Sequence, residues 1–103
     1  MRSENDDLRL LQALCQASDA GLVRRACLAL RAHPWSCGEH GVVYEACAEL
    51  VSRGARIAPL ALAAQLTRAG FPDADLDALF APIPAPDRRL SRFLDTVIPE
   101  SRP

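Results

Sequence analysis

Apolar residues along this chain recur three and four positions apart, the period of one face of an α-helix, and glycines and prolines interrupt the runs. The pattern is sharpest from His40 to Phe71. There Val43, Cys47, Leu50 and Val51, widened by Val42 and Ala46, predict a helix over 39–53 with Glu45, Glu49 and Arg53 on its polar side. Leu62, Ala63 and Leu66 predict a second helix over 59–69 that leaves Gln65 and Arg68 to water. Gly54 and Gly70 follow the two runs, where a chain leaving a helix commonly enters the left-handed region that glycine reaches without steric cost. Pro59 suits a first helical position, since its missing N–H would have no intrahelical partner there. Ile57 is placed to staple onto Leu62, and Phe71 to fold back on Leu66. The rest of the chain is expected to pack on this hairpin.

Upstream, Ser3 to Asp7 offer N-cap candidates, and Leu8, Leu11, Leu14 and Cys15 predict a helix over 7–17 with one buried face. Ser18-Asp19-Ala20-Gly21 reads as a turn and a fresh cap. Leu22, Val23, Ala26, Cys27 and Leu30 then form an apolar stripe, with Arg24, Arg25 and Arg31 on the opposite face. His33-Pro34 is expected to end this helix, because a residue before proline is pushed out of the helical region. Trp35, the one tryptophan, falls in the following loop and reads as a core plug. Downstream, Pro72-Asp73 turns the chain into a short helix over 74–80 with Leu76, Leu79 and Phe80 inward. Pro82, Pro84 and Pro86 make a stiff, extended connector. Asp87 is expected to cap the last helix, whose stripe is Leu90, Phe93, Leu94, Val97 and Ile98, and Pro99 to stop it. The fold class is all-α, a compact bundle of about six short helices. Residues 1–7 are a polar lead-in, 8–98 a single domain and 99–103 a tail.

Composition supports the helical reading and narrows the function. Half of the 103 residues are hydrophobic, and Ala and Leu, the least costly residues to place in a helix, dominate them. The formal net charge is −1, so the broad basic field of a non-specific nucleic-acid binder is missing, while recognition through a small patch stays open. All 12 basic residues are Arg, a bias that a GC-rich coding sequence produces without selection for binding. No apolar run is long enough to span a bilayer, and the first residues, MRSENDD, are unlike a signal peptide. A cytoplasmic location with no membrane contact is expected. Of the four cysteines, Cys15, Cys27 and Cys47 fall on apolar helical stripes and read as small core residues.

Candidate chemistry is sparse. His33, Cys37, His40 and Cys47 are zinc-ligand types, but no two cysteines have finger spacing and Cys47 falls on a buried stripe, so no metal is expected. His40 reads instead as a helix-start residue whose ring bonds a backbone group. No strand-turn-helix setting surrounds a serine or cysteine, and no phosphate-binding loop occurs. Asp73, Asp75 and Asp77 stand at a helix start, where they offset the helix dipole. The expectation is a protein that is not an enzyme, takes no cofactor and binds no nucleotide directly. A helix-turn-helix reader is disfavoured because the second helix of the hairpin exposes mainly Ala, Gln65, Thr67 and Arg68.

One ordered series of residues resembles a known family. Trp35, then His40, then Val42-Val43-Tyr44, then Leu50, Gly54 and Ile57, then Leu62-Ala63, Leu66 and Gly70 resemble the globular N-terminal domain of the bacterial replicative DNA helicase of the DnaB type. Leu10-Leu11 and Leu14 upstream, and the connector with Leu90 to Ile98 downstream, extend the likeness over residues 8–98. The chain departs from the family at Ala58 and Ala61, where an acidic residue and a threonine are usual, and it stops at Pro103, where the family continues into a helical hairpin, a linker and a RecA-like ATPase. The resemblance implies a collar domain without its motor, or a piece cut from a whole helicase. In that family the domain packs with its copies into a ring and contacts primase. The implied function is a stand-alone protein-protein interaction or dimerisation module linked to DNA replication, with helicase, primase or a second copy as partner. The alternative is a small helical DNA-binding or regulatory protein. On either reading the interaction surface is expected at Arg24, Arg25 and Arg31 and at Arg88, Arg89 and Arg92.

Overall fold

The computed structural model describes residues 4–97, and within them the chain forms six helices and no strand. They are α1 (Glu4–Gln16), α2 (Ala20–Ala29), α3 (Gly38–Ser52), α4 (Pro59–Arg68), α5 (Leu76–Leu79) and α6 (Pro86–Val97). The all-α expectation is met. Ile98 and Pro99, expected to complete and stop the last helix, lie outside the described residues.

The hairpin α3–α4 has the local chemistry that its glycines imply. Gly54 and Gly70 have φ of 76° and 87°. After α3, the N–H of Ala55 reaches the carbonyl of Leu50 at 2.9 Å and that of Gly54 reaches Val51 at 3.0 Å. After α4, Phe71 donates to Leu66 at 2.8 Å and Gly70 to Thr67 at 3.0 Å. Both ends are Schellman motifs, which satisfy carbonyls the helix leaves open. Pro59 is the first residue of α4, and Ile57 and Phe71 are half-buried against the core that holds Leu62 and Leu66.

The centre of the fold lies elsewhere. α1 packs against α6, α3 and α5, whereas α4 leans chiefly on α3. Leu10, Leu11, Ala13, Leu14 and Cys15 are all buried, so every residue from 10 to 15 except Gln12 is in the core, a wider apolar surface than the single stripe expected. The remaining side works too. Gln12 donates from its amide to the carbonyl of Ala78 at 2.8 Å, and Gln16 to those of Leu79 at 3.0 Å and Ala81 at 2.7 Å. These bonds occupy open carbonyls at the end of α5, a helix too short to be stable alone.

Other ends differ from expectation for identifiable reasons. α2 stops at Ala29, ahead of His33-Pro34, because the N–H of His33 turns back to the carbonyl of Leu30 at 3.1 Å and tightens the chain first. α5 is shorter than 74–80, since Asp75 caps it by accepting from the N–H of Ala78 at 3.1 Å. Asp87 does not cap α6. The helix already begins at Pro86, and the Asp87 carboxylate reaches across the fold to accept from the N–H groups of Ser18 and Asp19, both at 2.9 Å. Those bonds, the one from Ser18 first, hold its carboxyl below the ordinary value against the opposing effect of burial. Asp19 in turn caps α2 through the N–H of Leu22 at 3.1 Å.

All four cysteines are free, and Cys15, Cys27 and Cys47 are core residues as their spacing implies. The Cys15 and Cys47 sulfurs lie 3.8 Å apart. That contact, then burial, pushes the Cys47 thiol well up, and burial pushes Cys27 up to about 11.

Nothing lies within 4 Å of a Cβ built at Gly54, Gly70 or Gly38, and only the first two have positive φ. Gly70→Ala should therefore lower stability by ~1 kcal/mol through backbone strain alone, while Gly38→Ala, at a helical position, should be neutral or slightly stabilising. Thermal unfolding followed by circular dichroism separates the two. Equal losses at both positions would show that conformation at Gly70 is not the cause.

Candidate functional site

Asp7 stands in α1 three, four and seven residues before Leu10, Leu11 and Leu14, on the stripe that faces the core, and its side chain is fully buried. It reaches the loop between α2 and α3. One oxygen lies 3.1 Å from Nε2 of His33, whose side chain is 2 % exposed, and the other accepts the backbone N–H of Ser36 at 2.6 Å. Burial acts to raise the Asp7 carboxyl, but the bonds from the Ser36 N–H, the His33 ring and the Ser36 hydroxyl together outweigh it, and the net result lies below the ordinary carboxylate range. A carboxylate can only accept, so Nε2 of His33 carries the hydrogen it shares.

An aromatic stack continues from this bond. The His33 ring meets Trp35 edge-on with centroids 4.4 Å apart, and Trp35 lies 5.5 Å from Tyr44 of α3. The Tyr44 hydroxyl donates to the carbonyl of Cys27 in α2, and burial, more than its neighbours, pushes the phenol up to about 12. Gly41 sits against the indole, where an added Cβ would lie 3.7 Å from Trp35. Trp35 is half-buried against the core, as a plug between helices should be. Two of the four zinc-type residues have other partners. His33 is committed to Asp7, Cys47 faces Cys15, and among the described residues no three His, Cys, Asp or Glu side chains converge. His40 corrects its expectation, since its Nδ1 is buried with no hydrogen-bond partner.

The arginines expected to form one surface divide between two grooves. Arg24 and Arg31 flank a groove between α2 and α3 that is walled by Tyr44, Ala48 and Val51, with Leu28 at its edge. Leu28 is 61 % exposed. Arg25 is exposed on α2 outside this groove. Arg88, Arg89 and Arg92 line a second groove between α6 and α1, joined there by Arg9, Phe93 and Asp6. Asp7, Leu28 and Arg9 were not singled out from sequence. Two of them carried a signal: Asp7 is a charge at a core-facing spacing, and Leu28 is an apolar residue between Arg24 and Arg31 on the polar face.

Comparison with protein-family models, with curated proteins and with solved structures finds no match to this chain.

The buried Asp7 bonds are charge-assisted, so Asp7→Asn should cost about 1.5–3 kcal/mol of stability at neutral pH. The native contribution is complete above the ordinary aspartate value of 3.8 and is lost as pH falls through the lower folded value. Urea unfolding of both proteins across pH 7 to 3 should show their difference narrowing only at the acid end. A difference that is absent at neutral pH would contradict the assignment.

Proposed function

We propose that this chain is a protein-interaction module of DNA replication that offers the α2–α3 groove to an acidic, amphipathic helix of a replicative helicase or primase. The observation that carries this reading is Leu28, a large apolar side chain 61 % exposed at the edge of an apolar groove. Exposed leucines occur singly on many surfaces, but this one shares its groove with Arg24 of α2 and Arg31 in the turn just beyond that helix. A partner helix with apolar residues at i, i+3 or i+4 and carboxylates on its flanks complements both features. Covering the exposed area of Leu28 contributes about 1–2 kcal/mol, more than a solvent-exposed ion pair does. The arginines set orientation and favour encounter.

The replication assignment is supported by the resemblance of the series Trp35, His40, Tyr44, Gly54, Ile57 and Gly70 to the helicase N-terminal domain, and by the all-α architecture in which that series sits. Trp35, Tyr44, Gly54, Ile57 and Gly70 each have a packing or backbone role here, so they bear on the fold and reach the partner only through it. Self-association through the same groove is the competing occupant.

Size-exclusion chromatography with light scattering, run on the protein alone and mixed with the replicative helicase and primase of the same host, tests the proposal. A complex with either is expected, and Leu28→Glu should abolish it while leaving the helical circular dichroism intact. A monomer that binds neither protein removes the replication reading, and a dimer that Leu28→Glu dissociates assigns the groove to a second copy.

A further inference from the structure

The groove between α1 and α6 gathers four guanidinium groups, Arg9 from one helix and Arg88, Arg89 and Arg92 from the other. All four residues are exposed, and among the described residues none has a carboxylate within ion-pair distance. Asp6 stands on the groove wall and Asp95 further along α6, and each has another interaction. In a chain with net charge −1, this is a local concentration of positive charge. Part of it is held in place. Arg89 donates its Nε to the carbonyl of Pro84 at 3.0 Å, which orients the guanidinium and leaves its two terminal nitrogens free. The neighbouring Ala85, at φ 47°, turns the connector so that its own carbonyl accepts the N–H of Arg89 at 3.0 Å, beginning α6 beneath the groove.

We propose that this groove binds the phosphodiester backbone of a single nucleic-acid strand. Guanidinium groups match phosphate oxygens with paired hydrogen bonds, and four of them along one channel suit a run of phosphates better than an isolated one. The half-buried Phe93, among the arginines, offers a ring on which a base can stack, the usual companion of a basic channel in single-strand binding. A concave channel between two helices does not suit a duplex, whose grooves are read by an inserted helix or ribbon. This site is independent of the α2–α3 groove, and either can fail without the other.

The test is fluorescence anisotropy of the full chain with a labelled oligothymidylate of about ten nucleotides, a length within the range such grooves cover. Binding is expected at low salt, with log Kd changing with log salt at a slope of magnitude between about 2 and 3, as four neutralised phosphates require on a single strand. Arg88→Gln with Arg92→Gln should reduce that slope by about half and weaken binding at least tenfold. Phe93→Leu, which keeps the apolar contact with the core, should weaken it about tenfold. Arg25→Gln, outside both grooves, should leave it unchanged. No binding at low salt overturns the proposal, as does a slope the paired arginine variant does not alter. Equal affinity for a duplex of the same length, or displacement by polyaspartate at equal charge, overturns the single-strand assignment.

Discussion

A buried carboxylate is tolerated only when its lost hydration is replaced, and in this protein that requirement ties the first helix to a loop 26 residues away in sequence. Asp7 takes hydrogen bonds from the His33 ring and the Ser36 backbone, and both donors lie between α2 and α3. The loop therefore cannot settle independently of α1. Once His33 is fixed, Trp35 has an edge to pack against and Tyr44 a ring beyond it, and the Tyr44 hydroxyl closes the circuit onto the carbonyl of Cys27. The walls of the α2–α3 groove follow from this chain of contacts.

Similar long-range polar bonds organise the other end of the bundle. Gln12 and Gln16 hold carbonyls at and beyond the end of α5, and Asp87 on α6 holds the turn that starts α2. α1 is thus tied to α5 and the chain just beyond it, and α6 to the start of α2, and the arginines of the α1–α6 groove stand on helices rather than on loops. Apolar burial stabilises the fold, while these directional bonds select how its short helices are arranged.

The helices and their stops were legible because they depend on local chemistry. Gly54 and Gly70 take positive φ where the apolar runs end, and Pro59 opens α4. What sequence reading placed wrongly was the centre. The α3–α4 hairpin has the clearest punctuation, but punctuation records how a helix ends, and it does not record how many neighbours the helix has. Asp7 and Asp87 were read as local caps for the same reason: aspartate near a helix start usually serves its own helix, and here both carboxylates serve distant backbone. The two arginine faces were visible as charged helix sides, but their separation into two grooves, and the addition of Arg9 to one, depend on tertiary packing that spacing does not encode.

The two surfaces have different physics: one is apolar with charge at its rim, and the other is a groove that gathers four guanidinium groups. The apolar one depends on α1, α2 and α3 being held in the arrangement that the Asp7 bonds select. A double-mutant cycle of Asp7→Asn and His33→Ala, read by urea unfolding at neutral pH, tests that dependence most directly. The clamp predicts strong non-additivity, with a coupling of about 1–3 kcal/mol between the two positions. Effects that add to within about 0.5 kcal/mol would show that Asp7 and His33 act separately and would contradict the account.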